Sequence, residues 1–156
     1  MGELRVVLTA AGLAGVETLL QSGNVVFEAG AGDDARLVRE IISREFGFEV
    51  TVIMRTARQL RSIASKHPMA NRDASGSLLH VAFLESTPSA KAVARLEPER
   101  FEPDRFTVAG QEVYVSYPDG QGRSKLTLDY FERSLEVKGT MRNLNTVNKL
   151  AELTRG

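Results

Sequence analysis

Two extended runs split by Ser22-Gly23, and two more split by Ala109-Gly110, each lie between a pair of amphipathic helical patterns. A helix, a two-residue hairpin and another helix, met twice in one chain, leave few architectures open. The hairpin turns carry the residues that such turns need, glycine or asparagine for a positive φ. In the first copy, Leu4, Val7, Leu8 and Ala11 follow helical spacing, so residues 3–12 read as a helix stopped at Gly12. Residues 16–21 and 24–28 form the hairpin. Asp33 or Asp34 caps a second helix whose Val38, Ile41, Ile42 and Phe46 share one face, and the β-branched run 48–54 reads as a strand.

A connecting helix over 56–67, capped by Thr56 and stopped by Pro68, leads through a polar loop to the second copy. There the pattern predicts a strand over 79–85, a short helix over 89–96, hairpin strands over 105–109 and 111–117, and a helix over 124–135. A short strand over 137–141 and a last helix with Val147, Leu150 and Leu153 complete it. The two halves read αββαβ and βαββαβ, differing by one opening strand. The expected class is therefore α+β, a tandem duplication of ferredoxin-like βαββαβ units with a C-terminal helix. Residues 1–55 form the first, truncated half, 56–78 the connecting helix and loop, and 79–156 the second half with the terminal helix. An opening strand lies in the middle of such a sheet, so the sequence predicts either a start upstream of Met1 or a neighbouring chain, as in a homo-oligomer, filling the gap.

Lysine and arginine number 20 against 20 aspartates and glutamates, so no field of one sign draws the whole molecule to nucleic acid or membrane. The chain has no cysteine, which removes disulfides, thiolate metal sites and cysteine nucleophiles. With no long apolar run and no basic-then-apolar leader, a cytoplasmic address and no membrane partner are expected.

The tract from Tyr117 to Thr127 holds the densest chemistry. Gly120 and Gly122 free the backbone to bring N–H groups close to a ligand, Ser124 is placed to cap the following helix, and Arg123 and Lys125 add charge. That is the chemistry of an anion pocket; the plainer reading is a turn with a capped helix and solvated cations. It is not a Walker A loop, because its glycines are two apart and Lys125 lies beyond an Arg-Ser step. Arg142, Asn143, Asn145 and Lys149 form a second constellation at another helix start, where an asparagine cap is the plainer reading. From Gln121 onward seven cations face four carboxylates, so this quarter of a neutral chain is locally positive. If the two helix starts converge, a phosphate-bearing small molecule or a nucleic-acid backbone fits between them.

Other residues offer less. Gln21 to Asn24 serve the hairpin. His80 points away from the face shared by Leu79, Val81 and Phe83, and His67 sits at a helix end beside Pro68; neither has the companions of a metal site, and no cofactor is implied. Glu99, Glu102 and Asp104 read as solvated linker charges. Strand alternation puts Tyr114 and Tyr117 on opposite faces, so stacked aromatics of the RNA-binding kind are not evident. A small enzyme acting on an anionic substrate between the halves, with Asp119 or Tyr117 carrying the proton, is the alternative function, but no nucleophile, base and orienting partner can be assembled.

Three motifs in order, Gln21-Ser-Gly-Asn-Val-Val-Phe27, Tyr117-Pro-Asp-Gly-Gln-Gly-Arg-Ser-Lys-Leu126 and Arg142-Asn-Leu-Asn-Thr-Val-Asn-Lys-Leu150, resemble a bacterial family of unknown function, DUF1697. The resemblance implies two ferredoxin-like halves and names no reaction. It also implies an opening strand and an Arg-Gly-Ile-Asn-Val-Gly-Gly-like loop ahead of residues 3–12, which this sequence lacks, and a tryptophan where Leu144 stands.

Overall fold

The computed structural model describes residues 2–19, 23–28, 34–70 and 75–154. Gln21, Ser22 and Asp33 lie outside them. The chain divides into two compact units, Met1–Met54 with Leu153–Gly156, and Arg55–Glu152. Both combine helices with antiparallel strands, so the class is α+β.

In the first unit, helix α1 (Gly2–Ala10) buries Leu8 completely, and Gly12 leaves the helix at a φ of 102°. Strands β1 (Glu17–Leu19) and β2 (Asn24–Val26) pair antiparallel in the register Glu17–Val26, Thr18–Val25 and Leu19–Asn24. Asn24 is buried, and its Nδ2 donates to the Leu19 carbonyl. Helix α2 (Asp34–Phe46) turns Val38, Ile41 and Ile42 onto Leu8, Leu13 and Val16, the core that the helical spacing predicts.

The strand predicted over 48–54 does not form: residues 48–56 carry no regular structure. Val50 and Val52 still pack on the first unit's core. The apolar alternation is thus realised as packing, but no ladder accompanies it. The ladder among the described residues of the first unit joins β1 to β2 alone, so the run 48–54 pairs with no other strand there.

In the second unit, helix α3 (Ala57–Ser65) starts at a capping box, with Thr56 accepting from Gln59 N–H and Gln59 accepting from Thr56 N–H. Strand β3 (Leu79–Leu84) is buried at all six positions. Helix α4 (Ala90–Ala94) is capped by Ser89, and a 3-10 turn over Pro98–Phe101, absent from the sequence reading, inserts Phe101 into the core. Strands β4 (Arg105–Ala109) and β5 (Glu112–Ser116) form the hairpin, with Gly110 at a φ of 59°. Helix α5 (Leu128–Leu135), strand β6 (Gly139–Asn143) and helix α6 (Leu144–Leu153) follow.

The sheet order is β4-β5-β3-β6, antiparallel throughout. Together with the βαββαβ succession of elements, this is the ferredoxin-like arrangement, in which the opening strand lies centrally. One sheet face, through Ala82, Leu84, Val113, Val115 and Tyr117, packs on Leu96, Phe131 and Leu135. Strand β6 comes so close to β3 that a Cβ on Gly139 would stand 2.9 Å from the Phe83 carbonyl oxygen. At one end of the sheet Arg55 is buried, bonded to Glu112 and to the carbonyls of Leu84 and Gln111, with its guanidinium over the Phe83 ring.

Candidate functional site

Strand β5 delivers Tyr117 into the core, where it is wholly buried. Its hydroxyl donates to the Leu126 carbonyl at 2.8 Å, tying the two ends of the glycine tract together. Burial, with the nearby Asp104 carboxylate, pushes the phenol well above its usual range. The hydroxyl is thus kept protonated inside the core, where it is engaged as a donor to Leu126.

Beyond Tyr117 the chain turns, with Gly120 N–H donating to the Tyr117 carbonyl and Gly120 at a φ of 90°, a conformation natural to glycine. A short 3-10 turn covers Gln121–Arg123, and an added side chain on Gly122 would meet nothing within 4 Å. Ser124 does not cap a helix. Its hydroxyl donates to the Asp104 carboxylate and accepts from Leu126 N–H, while Thr127 caps α5 by accepting from Tyr130 N–H. The expected helix over 124–135 therefore begins at Leu128, and the glycine tract lacks a helix N-terminus behind it. Asp104 is correspondingly buried, not the solvated linker charge that its acidic surroundings suggest.

Arg123 and Lys125 are exposed, and neither forms an ion pair among the described residues, Asp119 included. The N–H groups of Gln121, Gly122 and Lys125 likewise have no hydrogen-bond acceptor among them.

The second constellation is engaged elsewhere. Arg142 is half-buried, donates to the Thr140 hydroxyl and the Met141 carbonyl, and has its pKa lowered by burial. Asn143 Oδ1 accepts from Thr146 N–H at 2.9 Å and so caps α6, the plainer of its two readings. The Asn145 side chain fills the space over Gly76, where a Cβ would stand 2.1 Å from its Oδ1. Lys149 is exposed on α6. Cross-strand partners share a face, so Met141 lies with Ala82, and Asn143 with His80, on the side of Tyr117. Arg142, opposite Val81, lies on the other. The link between the turn and β6 is Gln121 Nε2 against Met141 Sδ at 3.3 Å.

Two histidines flank this central strand. His80 packs edge-on to Tyr117, with ring centroids 5.0 Å apart, and its Nδ1 is buried without a hydrogen-bond partner. Desolvation lowers its pKa against the opposing pull of the Leu78 carbonyl and the Gln121 side chain. His67 is buried against Tyr114. Its Nε2 meets the His80 carbonyl and its Nδ1 meets Met69 N–H. A carbonyl only accepts and an amide only donates, so His67 is the neutral Nε2–H tautomer, in keeping with a pKa lowered by desolvation. The opposite placement of Tyr114 and Tyr117 follows from strand alternation. The burial of Asp104 has no local signal beyond Phe101 and Phe106, apolar residues in an otherwise charged run.

No group of three or more histidines and carboxylates suited to a metal ion occurs among the described residues, and no described helix is long and apolar enough to cross a membrane. Among solved structures, the conserved bacterial protein SP0830 from Streptococcus pneumoniae is similar at a TM-score of 0.69 and 19% identity, over 99% of this chain and 88% of that one. At that identity the likeness concerns the fold. No curated protein matches. The sequence matches the family described as protein of unknown function (DUF1697) over residues 1–114, a span that ends before the Tyr117 tract and the Arg142 constellation. The chain belongs to the DUF1697 family.

Proposed function

We propose that the second unit binds a phosphate-bearing ligand on the turn from Gly120 to Lys125. The observation that carries this reading is the coincidence, on one short loop, of two exposed cations without carboxylate partners and three backbone N–H groups without acceptors. Consecutive N–H groups in a turn make a concavity that suits an anion, and cations beside it add charge-assisted contacts. The loop is braced from below by the Tyr117–Leu126 and Ser124–Asp104 bonds, so little ordering accompanies binding. Arg142, Asn143 and Asn145 have other work in the fold and are not needed for it.

Calorimetry with inorganic phosphate, a nucleotide and a short oligonucleotide tests the reading. Replacing both Arg123 and Lys125 with Ala should leave stability within about 0.5 kcal/mol, as for most solvated surface cations. Affinity should fall roughly tenfold to a hundredfold, since a charge-assisted contact is worth on the order of 1.5–3 kcal/mol. A steep salt dependence identifies a polyanion and a shallow one a small phosphate. If wild type binds none of the three, or the double variant binds as tightly, the loop is only a turn.

A further inference from the structure

In the first unit, α1 and the end of α2 enclose an open groove of about 420 Å³, lined by Glu3, Val6, Val7, Glu45 and Phe46. Its apolar floor continues onto Phe48, whose ring stands 6.3 Å from that of Phe46. Val6 is 67% exposed and Phe48 55%, high values for large apolar side chains; Val6 lines the groove, and Phe48 adjoins it through Phe46. Single exposed apolar residues need no explanation, but a contiguous apolar strip between two helices is the form of a docking site. The charged lining residues are both carboxylates. Glu45 touches Arg44 at 3.5 Å, an exposed pair easily exchanged, and Glu3 makes no ion pair among the described residues.

We infer that this groove docks an amphipathic helical segment whose apolar face is flanked by lysine or arginine. An apolar strip takes the face of such a helix, and two acidic groups at the rim select positive flanks. A second copy docked face to face through the groove would bring the carboxylate rim of one copy against that of the other, which disfavours self-association there.

Fluorescence anisotropy on the full chain tests this with three labelled helical peptides sharing one leucine face, flanked by lysine, glutamine or glutamate. The lysine peptide should bind at least tenfold more tightly than the glutamate peptide at low salt, with the difference shrinking as salt is raised. Replacing both Glu3 and Glu45, each exposed, with Lys should reverse the order. Val6→Gln should weaken the lysine and glutamine peptides alike without lowering the thermal midpoint. The inference is overturned if no peptide binds at 100 µM, if all three bind equally, or if charge reversal leaves the order unchanged. Sedimentation velocity showing a dimer that Val6→Gln dissociates would also overturn it, by making the occupant a second copy.

Discussion

Arg55 is a polar side chain whose loss should cost the second unit heavily. Its side chain is 7% exposed and that of its partner Glu112 17%, with the two charges 3.0 Å apart. One guanidinium nitrogen also serves the carbonyls of Leu84 and Gln111, each at 3.0 Å. Arg55→Met keeps the aliphatic stem over Phe83 and removes the charge. The Gln111 carbonyl retains Leu84 N–H as a donor, so the loss falls on the Glu112 carboxylate and the Leu84 carbonyl. Removing one partner of a buried pair typically costs about 3–5 kcal/mol. Because Glu112 keeps some contact with water, the expected cost is at the lower end, about 3 kcal/mol. Replacing both members with apolar residues, Arg55→Met with Glu112→Leu, should recover most of it, since a packed apolar pair often matches a buried ionic one. Native-state hydrogen exchange on the β3 and β5 amides reads the free energy of the second unit directly, without assuming that both units unfold together. A single-variant cost under about 1 kcal/mol, or a double variant as unstable as the sum of the singles, would refute the reasoning.

Three further outcomes are expected. Tyr117→Phe should destabilise the second unit by about 1 kcal/mol, the usual net worth of one hydrogen bond, measured by urea unfolding; no change would mean that the Leu126 carbonyl finds another donor. His67 and His80 both titrate below their ordinary value of about 6.5, so the unfolded chain takes up protons first as pH falls. Their stabilisation is therefore complete above pH 6.5 and declines below it, down through the folded-state pKa values. Thermal midpoints at pH 7 and pH 5 should differ, and His80→Leu, which also removes an unpartnered Nδ1, should reduce that difference with little loss at pH 7. Finally, amides of β1 and β2, two strands of three residues each, should exchange faster than those of β3; equal protection would contradict the expectation that the short, singly paired strands open first.

What was legible in the sequence was mostly local. Thr56 and Ser89 cap helices because a hydroxyl finds an N–H three residues on, and the hairpin at Ala109-Gly110 follows from its turn residues and flanking alternation. What was illegible depended on distant partners. Ser124 and Thr127 are equally good caps by type, and the choice between them is made by Asp104, which takes the Ser124 hydroxyl from 20 residues away. The run 48–54 has the alternation of a strand but lacks a ladder, which no local pattern can report. The last strand appears at Gly139–Asn143, two residues later than the apolar pattern at Val137 suggests, because pairing with β3 fixes it. Of the candidate site, the Gly120 to Lys125 turn and its exposed cations could be read directly. The employment of Arg142, Asn143 and Asn145 inside the fold could not.

The pairing of His80 with Asn143 sets an order on how the second unit comes into being. The β4–β5 hairpin joins near neighbours in the chain and closes quickly, whereas β6 must return across the whole length of the unit to reach β3. Such non-local closure is the slow step in sheets of this kind. On a ribosome, β3 and the hairpin emerge well before β6, so the apolar central strand waits with one ladder open until residues 139–143 have left the exit tunnel. That interval, and not the finished fold, is when this protein most needs shielding from other chains.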